Sequence, residues 1–254
     1  MNTNDINAAA KLLADARLTG VKRDPLPAAL QPKTIEDGHA IQDATMALLN
    51  EAIGGWKVGL DKEGTMSRAP ILKSVIQESP GRVRASGEHL RGIEAEIAFR
   101  FLKDLPPRGS DYSRQEVEDA VEAFPAIELL NSRYAEPGPR STLEKLADCI
   151  IQGGFVCGKP RADWKSVDFA KLEVVLTVDG AEIATGTGTH PVGDPVAPAV
   201  ALVNALRTTS GVKAGQIMTT GTWTGINYAG SDSLAVANFD GFEPVLTQFE
   251  SSQG

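Results

Sequence analysis

Histidine and cysteine, the side chains that most readily hold zinc, are scarce: three of the first and two of the second in 254 residues. Cys149 and Cys157 have no His pair beside them, which makes a poor zinc site. Two cysteines also cannot build a disulfide framework, so both read as buried, reduced thiols. Long apolar runs are missing too. No segment approaches the roughly 20 residues needed to cross a bilayer. The opening MNTNDINAAAKLLADARL is polar and amphipathic, unlike a secretory signal. Basic charge is in deficit. A net charge of −8 and a pI near 5.0 argue against a surface that collects nucleic acid phosphates. These exclusions fit a cytoplasmic enzyme that works on a small molecule, with neither nucleic acid nor membrane as partner.

What is present is ordinary enough to fold. With 42% hydrophobic and 23% charged residues, the chain buries a real core as one large domain or a domain with a helical cap. Apolar residues recur at helical spacing at Ala8, Leu12, Leu13 and Ala16, and again at Ile41, Ala44, Thr45, Leu48 and Leu49. The proline-rich VKRDPLPAALQPKT between them reads as an irregular connection. After Gly54-Gly55 the character turns strand-like, in WKVGL, GIEAEIAFRFL, AFPAIELLN and QGGFVCG. LEVVLTVDGAEIATGTG reads as a hairpin across Asp179-Gly180. PVAPAVALVNALRTTSG reads as a helix ending at Gly211, and three further strand-like runs follow, beginning with GQIMTTGTWTG. Helices in the first fifth and strands thereafter give an α+β fold, divided as a helical region 1–55 and a mixed-β catalytic region 56–254.

GIEAEIAF holds the first chemical signal. Side chains two apart on a strand share a face, so Glu94 and Glu96 stand together opposite Ile93, Ala95 and Ile97. Either that face is wet or a cation sits between the carboxylates. Glu128, in PAIELL, is a third acid with apolar neighbours. A buried carboxylate must be paired, hydrogen-bonded, protonated or bound to metal. Three converging carboxylates would suit a hard cation such as magnesium, manganese or calcium. The alternative is a solvated sheet face with Glu128 paired to Arg133. Lys57, in WKVGL, is either a snorkelling lysine with its ammonium in water or a partly buried group able to move protons.

Taken in order, GWKVGL, GIEAEIAF, AIELLNSR, VDGAEIATGTG…PVGDP and AGQIMTTGTWTG resemble the fumarylacetoacetate hydrolase superfamily. The likeness is greatest to its 2-keto-4-pentenoate hydratase and 4-oxalocrotonate decarboxylase branch, and runs from about Gln42 to the end. The resemblance implies a mixed β-sheet roll or sandwich. It implies Mg²⁺ or Mn²⁺ on Glu94, Glu96 and Glu128, Lys57 as catalytic acid/base with its pKa lowered, and Thr220, Gly221 and Thr222 holding the acid end of a 2-oxo acid. His39, His89 and His190 stay outside the metal shell. The resemblance further implies a homo-oligomer, with association to a homologous pathway enzyme as an option.

The departures from the family matter as much. Ile71 stands where the hydratases carry an acid, with Asp61 or Glu63 as conceivable substitutes. The hydratases' serine has become part of QGGFVCG. The activity implied is hydration of a 2-oxo-4-alkenoate from aromatic ring breakdown to a 4-hydroxy-2-oxo acid, through a metal-stabilised enolate. Alternatives are decarboxylation of a 2-oxo-3-enedioate, with Arg68 as a cation for its second carboxylate, or a non-catalytic partner subunit.

Overall fold

A computed structural model describes residues 1–61, 63–85 and 91–251. In chain order the elements are α1 (Thr3–Thr19), α2 (Ile35–Leu49), β1 (Ile53–Leu60), β2 (Met66–Leu72), β3 (Ile76–Glu78), β4 (Gly81–Ala85) and β5 (Gly92–Phe101). Then come α3 (Arg114–Glu118), β6 (Val121–Leu130), α4 (Thr142–Ala147), β7 (Gln152–Cys157), β8 (Glu173–Val178) and β9 (Ala181–Thr187). The chain closes with α5 (Val196–Leu206), β10 (Ile217–Thr219), β11 (Asn227–Tyr228), β12 (Leu234–Phe239) and β13 (Val245–Ser251).

Among the described residues the strands form two mixed sheets. The larger runs β2-β1-β10-β5-β6-β7-β3, with β11 also paired to β5; the smaller runs β4-β13-β12-β8-β9. The α+β reading holds. Local chemistry explains the well-read elements. Asn2 and Thr34 cap α1 and α2 by accepting from the amides of Asp5 and Asp37, a contact worth about 1 kcal/mol. Asp179 and Gly180 both take positive φ at the β8–β9 turn, as a tight hairpin requires.

Strand parity divides the larger sheet into two faces. Trp56, Val58, Ile93, Ala95, Ile97, Phe99, Ile127 and Val156 point one way. They join Val174, Leu176, Ala237, Phe239 and Phe249 of the smaller sheet in one apolar core. The opposite face of β5 carries Glu94, Glu96 and Ala98, which the register sets against Glu128, Ala126 and Phe124 of β6. Helices α1 and α2 make a separate apolar cluster from Ala9, Ala10, Leu13 and Ile41, together with Tyr134 and Ala147.

Two boundaries differ from the sequence reading. Helix α5 stops at Leu206, and Gly211 (φ 62°) instead closes the next turn, its amide donating to the Leu206 carbonyl. In GQIMTTGTWTG only Ile217–Thr219 forms a strand. Gly221 then takes φ 119°, a value that side chains with a Cβ rarely adopt, and the chain leaves the ladder.

Candidate active site

Glu94 and Glu128 are direct cross-strand partners, and like charges so placed repel. The face is nonetheless dry: Glu94 is 6% exposed, and Glu96 and Glu128 are 0%. One carboxylate oxygen from each of the three lies within 4.8 Å of the others. Lys57 reaches in from β1, its Nζ 3.3 Å from Glu94 Oε2 and 3.0 Å from Glu128 Oε1. The Gly221 amide donates to Glu96 Oε2 at 3.2 Å. Among the described residues, Glu96 Oε1 and Glu128 Oε2 have no hydrogen-bond donor. A wet sheet face is thereby excluded, and so is the Arg133 pairing, because Arg133 bonds to Asp148 instead.

The electrostatics follow from that count. Burial raises the Glu96 carboxyl well above its ordinary value, and Glu128 and Glu94 raise it further. Glu128 rises for the same reason, with Lys57 pulling the other way. Burial by itself would lower the Lys57 ammonium, yet Glu128, Glu94 and Glu96 outweigh it and hold the group above its usual range. The lowering expected from sequence rests on burial together with a bound cation; with no cation the three carboxylates set the direction. Three buried acids facing one ammonium leave negative charge uncompensated. An all-oxygen donor set with unpartnered lone pairs suits a hard divalent cation, so the residues fit that group.

The loop after β10 forms the neighbouring wall. It stays clipped to β5, since the Trp223 amide donates to the Ala95 carbonyl and the Ala95 amide to Thr224 Oγ1. Thr220 is buried and its hydroxyl donates to the Ile97 carbonyl; Thr222 Oγ1 donates to the Gly225 carbonyl. Of the three positions expected to hold substrate, only Gly221 touches the carboxylate cluster, through its amide. His190 is buried against Trp223 and contacts the Thr220 carbonyl through Nε2 at 3.0 Å. Burial lowers its pKa, which favours a neutral ring. His39 accepts from the Arg68 amide, and His89 lies outside the described residues.

Ile71 shares the face of Lys57, since it pairs with Gly55 while Ala69 pairs with Lys57. It is wholly buried among Ala98, Phe124, Phe155 and Ile217, surroundings that would strongly disfavour a charged carboxylate. Asp61 accepts from the Thr65 amide in an exposed turn, and neither it nor Glu63 joins the cluster. Arg68 is paired to Asp43 at 3.0 and 3.1 Å and lies over the Trp56 ring.

Two residues escaped the sequence reading. Thr219 pairs with Lys57 across β1–β10, so it shares the cluster's face, and its buried hydroxyl has no partner. Gln152 pairs with Leu130, two residues beyond Glu128 on β6, and shares that face too. It is fully buried with both amide atoms unpartnered. An unpaired polar atom in a closed interior is a costly feature, and only the three-dimensional register exposes it.

No protein-family model matches the chain. It is 28% identical over 205 residues to the 2-hydroxyhexa-2,4-dienoate hydratase of Comamonas testosteroni, across 74% of this chain and 76% of that one. It is 29% identical over 238 residues to a 4-oxalocrotonate decarboxylase of a Pseudomonas species, across 86% and 88%. Its fold matches a solved 4-oxalocrotonate decarboxylase of Pseudomonas putida G7, complexed with magnesium and adipate. The TM-score there is 0.83 at 20% identity, over 98% of each chain. A yeast protein of the fumarylacetoacetate hydrolase family matches at TM-score 0.60 and 16% identity, over 78% of this chain and 93% of that one. The resemblance carried by the motifs is therefore borne out. The chain has the fold of the fumarylacetoacetate hydrolase family, and its relatives in the hydratase and decarboxylase branch are enzymes of the lyase kind.

Proposed function

We propose that this chain is a metal-dependent lyase that hydrates a 2-oxo-4-alkenoate, in its 2-hydroxy-2,4-dienoate form, to a 4-hydroxy-2-oxo acid. The observation that carries the reading is the buried meeting of Glu94, Glu96 and Glu128 with Lys57. Magnesium or manganese is the cation of choice, given the oxygen donors. Held by those three carboxylates, it would supply Lewis acidity to the oxygens of a 2-oxo acid. Lys57 Nζ is the group positioned to give and take a proton at the substrate. Without the cation those carboxylates hold its ammonium above the usual range; a bound divalent charge would oppose that and ease loss of the proton. The Gly221 amide fixes Glu96, and Thr219 and Gln152 offer unspent hydrogen-bonding groups on the same face. Ile71, Phe124 and Phe155 keep the floor apolar, which strengthens each charge contact above it.

The 4-oxalocrotonate decarboxylase relative supports a second reading, decarboxylation of a 2-oxo-3-enedioate. Hydration is preferred because Arg68, the cation considered for a second carboxylate, is already taken by Asp43. Loss of the near-ultraviolet absorbance of 2-hydroxypenta-2,4-dienoate with no CO₂ release supports hydration. CO₂ release from 2-oxohex-3-enedioate at a higher kcat/KM would replace it with the second reading. Glu94→Gln is expected to abolish both metal-dependent turnover and tight Mn²⁺ binding by calorimetry; full activity in that variant would sink the assignment.

A further inference from the structure

Beside the carboxylate cluster, on the same sheet face, lies a cavity of about 430 Å³, within the ~300–1,000 Å³ typical of small-molecule sites. Gly59 of β1 and Ser67 of β2 form its floor, and they are register partners. Gly59 is the next residue on the Lys57 face. β1 and β5 both pair with β10, so two strand spacings, roughly 10 Å, separate the floor from Glu96. The walls are Ile35 from the start of α2, Leu143 and Leu146 from α4, and Ile150.

Ile150 belongs to a fixed wall. Cys149, Ile150 and Ile151 take φ of 53°, 52° and 53° in succession, a left-handed stretch that strains residues carrying a Cβ. Ser132 Oγ and the Arg133 amide both bond Asp148, and the Arg133 guanidinium bonds the carbonyls of Asp148 and Gln152. These bonds bracket the stretch and hold it, so the cavity wall is a built and strained surface. The charges on the lining each have a neutral partner. Asp61 accepts from the Thr65 amide, and Lys145 Nζ donates to the Gly138 carbonyl at 3.3 Å.

We infer that this cavity receives the distal, hydrocarbon end of the 2-oxo acid, and that Leu143, Leu146 and Ile150 select apolar tails over a second carboxylate. The inference rests on the 2-oxo acid reading above and adds the residues that select its distal end. From the cluster the sheet face runs past Lys57 to Gly59, where this cavity opens to the far end of a 2-oxo acid held at the cluster. Its aliphatic walls gain from each methylene removed from water. A terminal carboxylate would be desolvated against those aliphatic walls with Asp61 also on the lining, and among the described lining residues Lys145 is the cation, bonded to the Gly138 carbonyl.

The test is binding of saturated 2-oxo acids to the Mn²⁺-loaded protein, by calorimetry. From pyruvate through 2-oxobutanoate and 2-oxopentanoate to 2-oxohexanoate, affinity should rise roughly fourfold per methylene, the equivalent of ~0.8 kcal/mol. 2-Oxoadipate should bind at least tenfold more weakly than 2-oxohexanoate. Leu143→Trp, and independently Ile35→Trp on the facing wall, should flatten the chain-length gradient. The inference is overturned if 2-oxoadipate binds as well as 2-oxohexanoate, as Lys145 turning inward would allow, or if the gradient survives both tryptophans. Failure of pyruvate and oxalate alike to bind the Mn²⁺-loaded protein would instead remove the 2-oxo acid reading itself, and the tail site with it.

Discussion

Two buried charge clusters flank the end of β6, and they are built on opposite principles. At Glu128, three carboxylates face one ammonium, and among the described residues oxygens of Glu96 and Glu128 have no hydrogen-bond donor. Just past the strand, Arg133 meets Asp148, and Arg17 donates to the Gln152 carbonyl that Arg133 also bonds. There Asp148 also accepts from Ser132 Oγ at 2.7 Å and the Arg133 amide at 3.0 Å, while the guanidinium bonds two carbonyls. The second cluster has its polar demands met within the chain and stabilises local structure. The first is left open on one side, an arrangement that disfavours the fold unless a ligand completes it. Burial alone does not distinguish a site from a strut. Satisfaction does.

Breaking each cluster should therefore give opposite results. Asp148→Ala strands a buried guanidinium and frees a strained turn, which should cost about 3–5 kcal/mol. In a chain of this size that lowers the melting temperature by on the order of 10 °C. Glu96→Gln removes a repelled charge, so the metal-free protein should melt at the same or a higher temperature. Its Mn²⁺ affinity should fall by more than the ~100-fold that outer-shell partners of a metal cost. Thermal melts with and without Mn²⁺ read both quantities. A lower melting temperature for metal-free Glu96→Gln would show the acidic cluster to be a strut like its neighbour.

Proton linkage gives a smaller effect with a definite sign. A carboxyl whose folded-state pKa is raised stabilises the fold below its unfolded value, and that contribution is lost as pH rises through the folded value. For Glu128 this window runs from 4.5 to about 7, and Glu96 shifts in the same direction. Lys57 stays protonated in both states across the window. Surface acids with lowered values, such as Glu116 beside Arg108, act only below it. His190 and His39, lowered by burial, act the opposite way below pH 6.5, so the carboxyl part is read as a difference: between pH 5 and about 7 the metal-free wild type should lose melting temperature relative to Glu128→Gln. A wild type and a Glu128→Gln variant whose melting temperatures keep a constant difference over that interval would contradict the picture.

The acidic cluster was largely legible in the sequence, because its signals are local. A two-residue period places Glu94 and Glu96 together, and apolar neighbours mark Glu128 as buried. The Asp179-Gly180 turn was legible for the same reason. The Arg133–Asp148 cluster was not, since its partners come from either side of α4 and Arg133 was weighed only against Glu128. Cys149, Ile150 and Ile151 carry no mark of a left-handed turn; two are β-branched, among the residues least suited to one. Thr219 was passed over for Thr220 and Thr222 because hydroxyl chemistry cannot choose a face. Only the pairing of Thr219 with Lys57 does.

Gln152 offers the finest test of the contrast, because it stands between the two clusters. Its carbonyl accepts from Arg133 on the satisfied side, while its side-chain amide, unpartnered, lies on the face of Glu128. A buried amide without partners costs about 1–3 kcal/mol. Gln152→Leu keeps nearly the same volume and the backbone contact, so it should leave the melting temperature unchanged or raise it by a few degrees. Turnover of the preferred 2-oxo acid should nonetheless fall, with Mn²⁺ affinity intact. Loss of stability in Gln152→Leu would place the side chain with Arg133 and Asp148, and the open side of the acidic cluster would then end at Glu128.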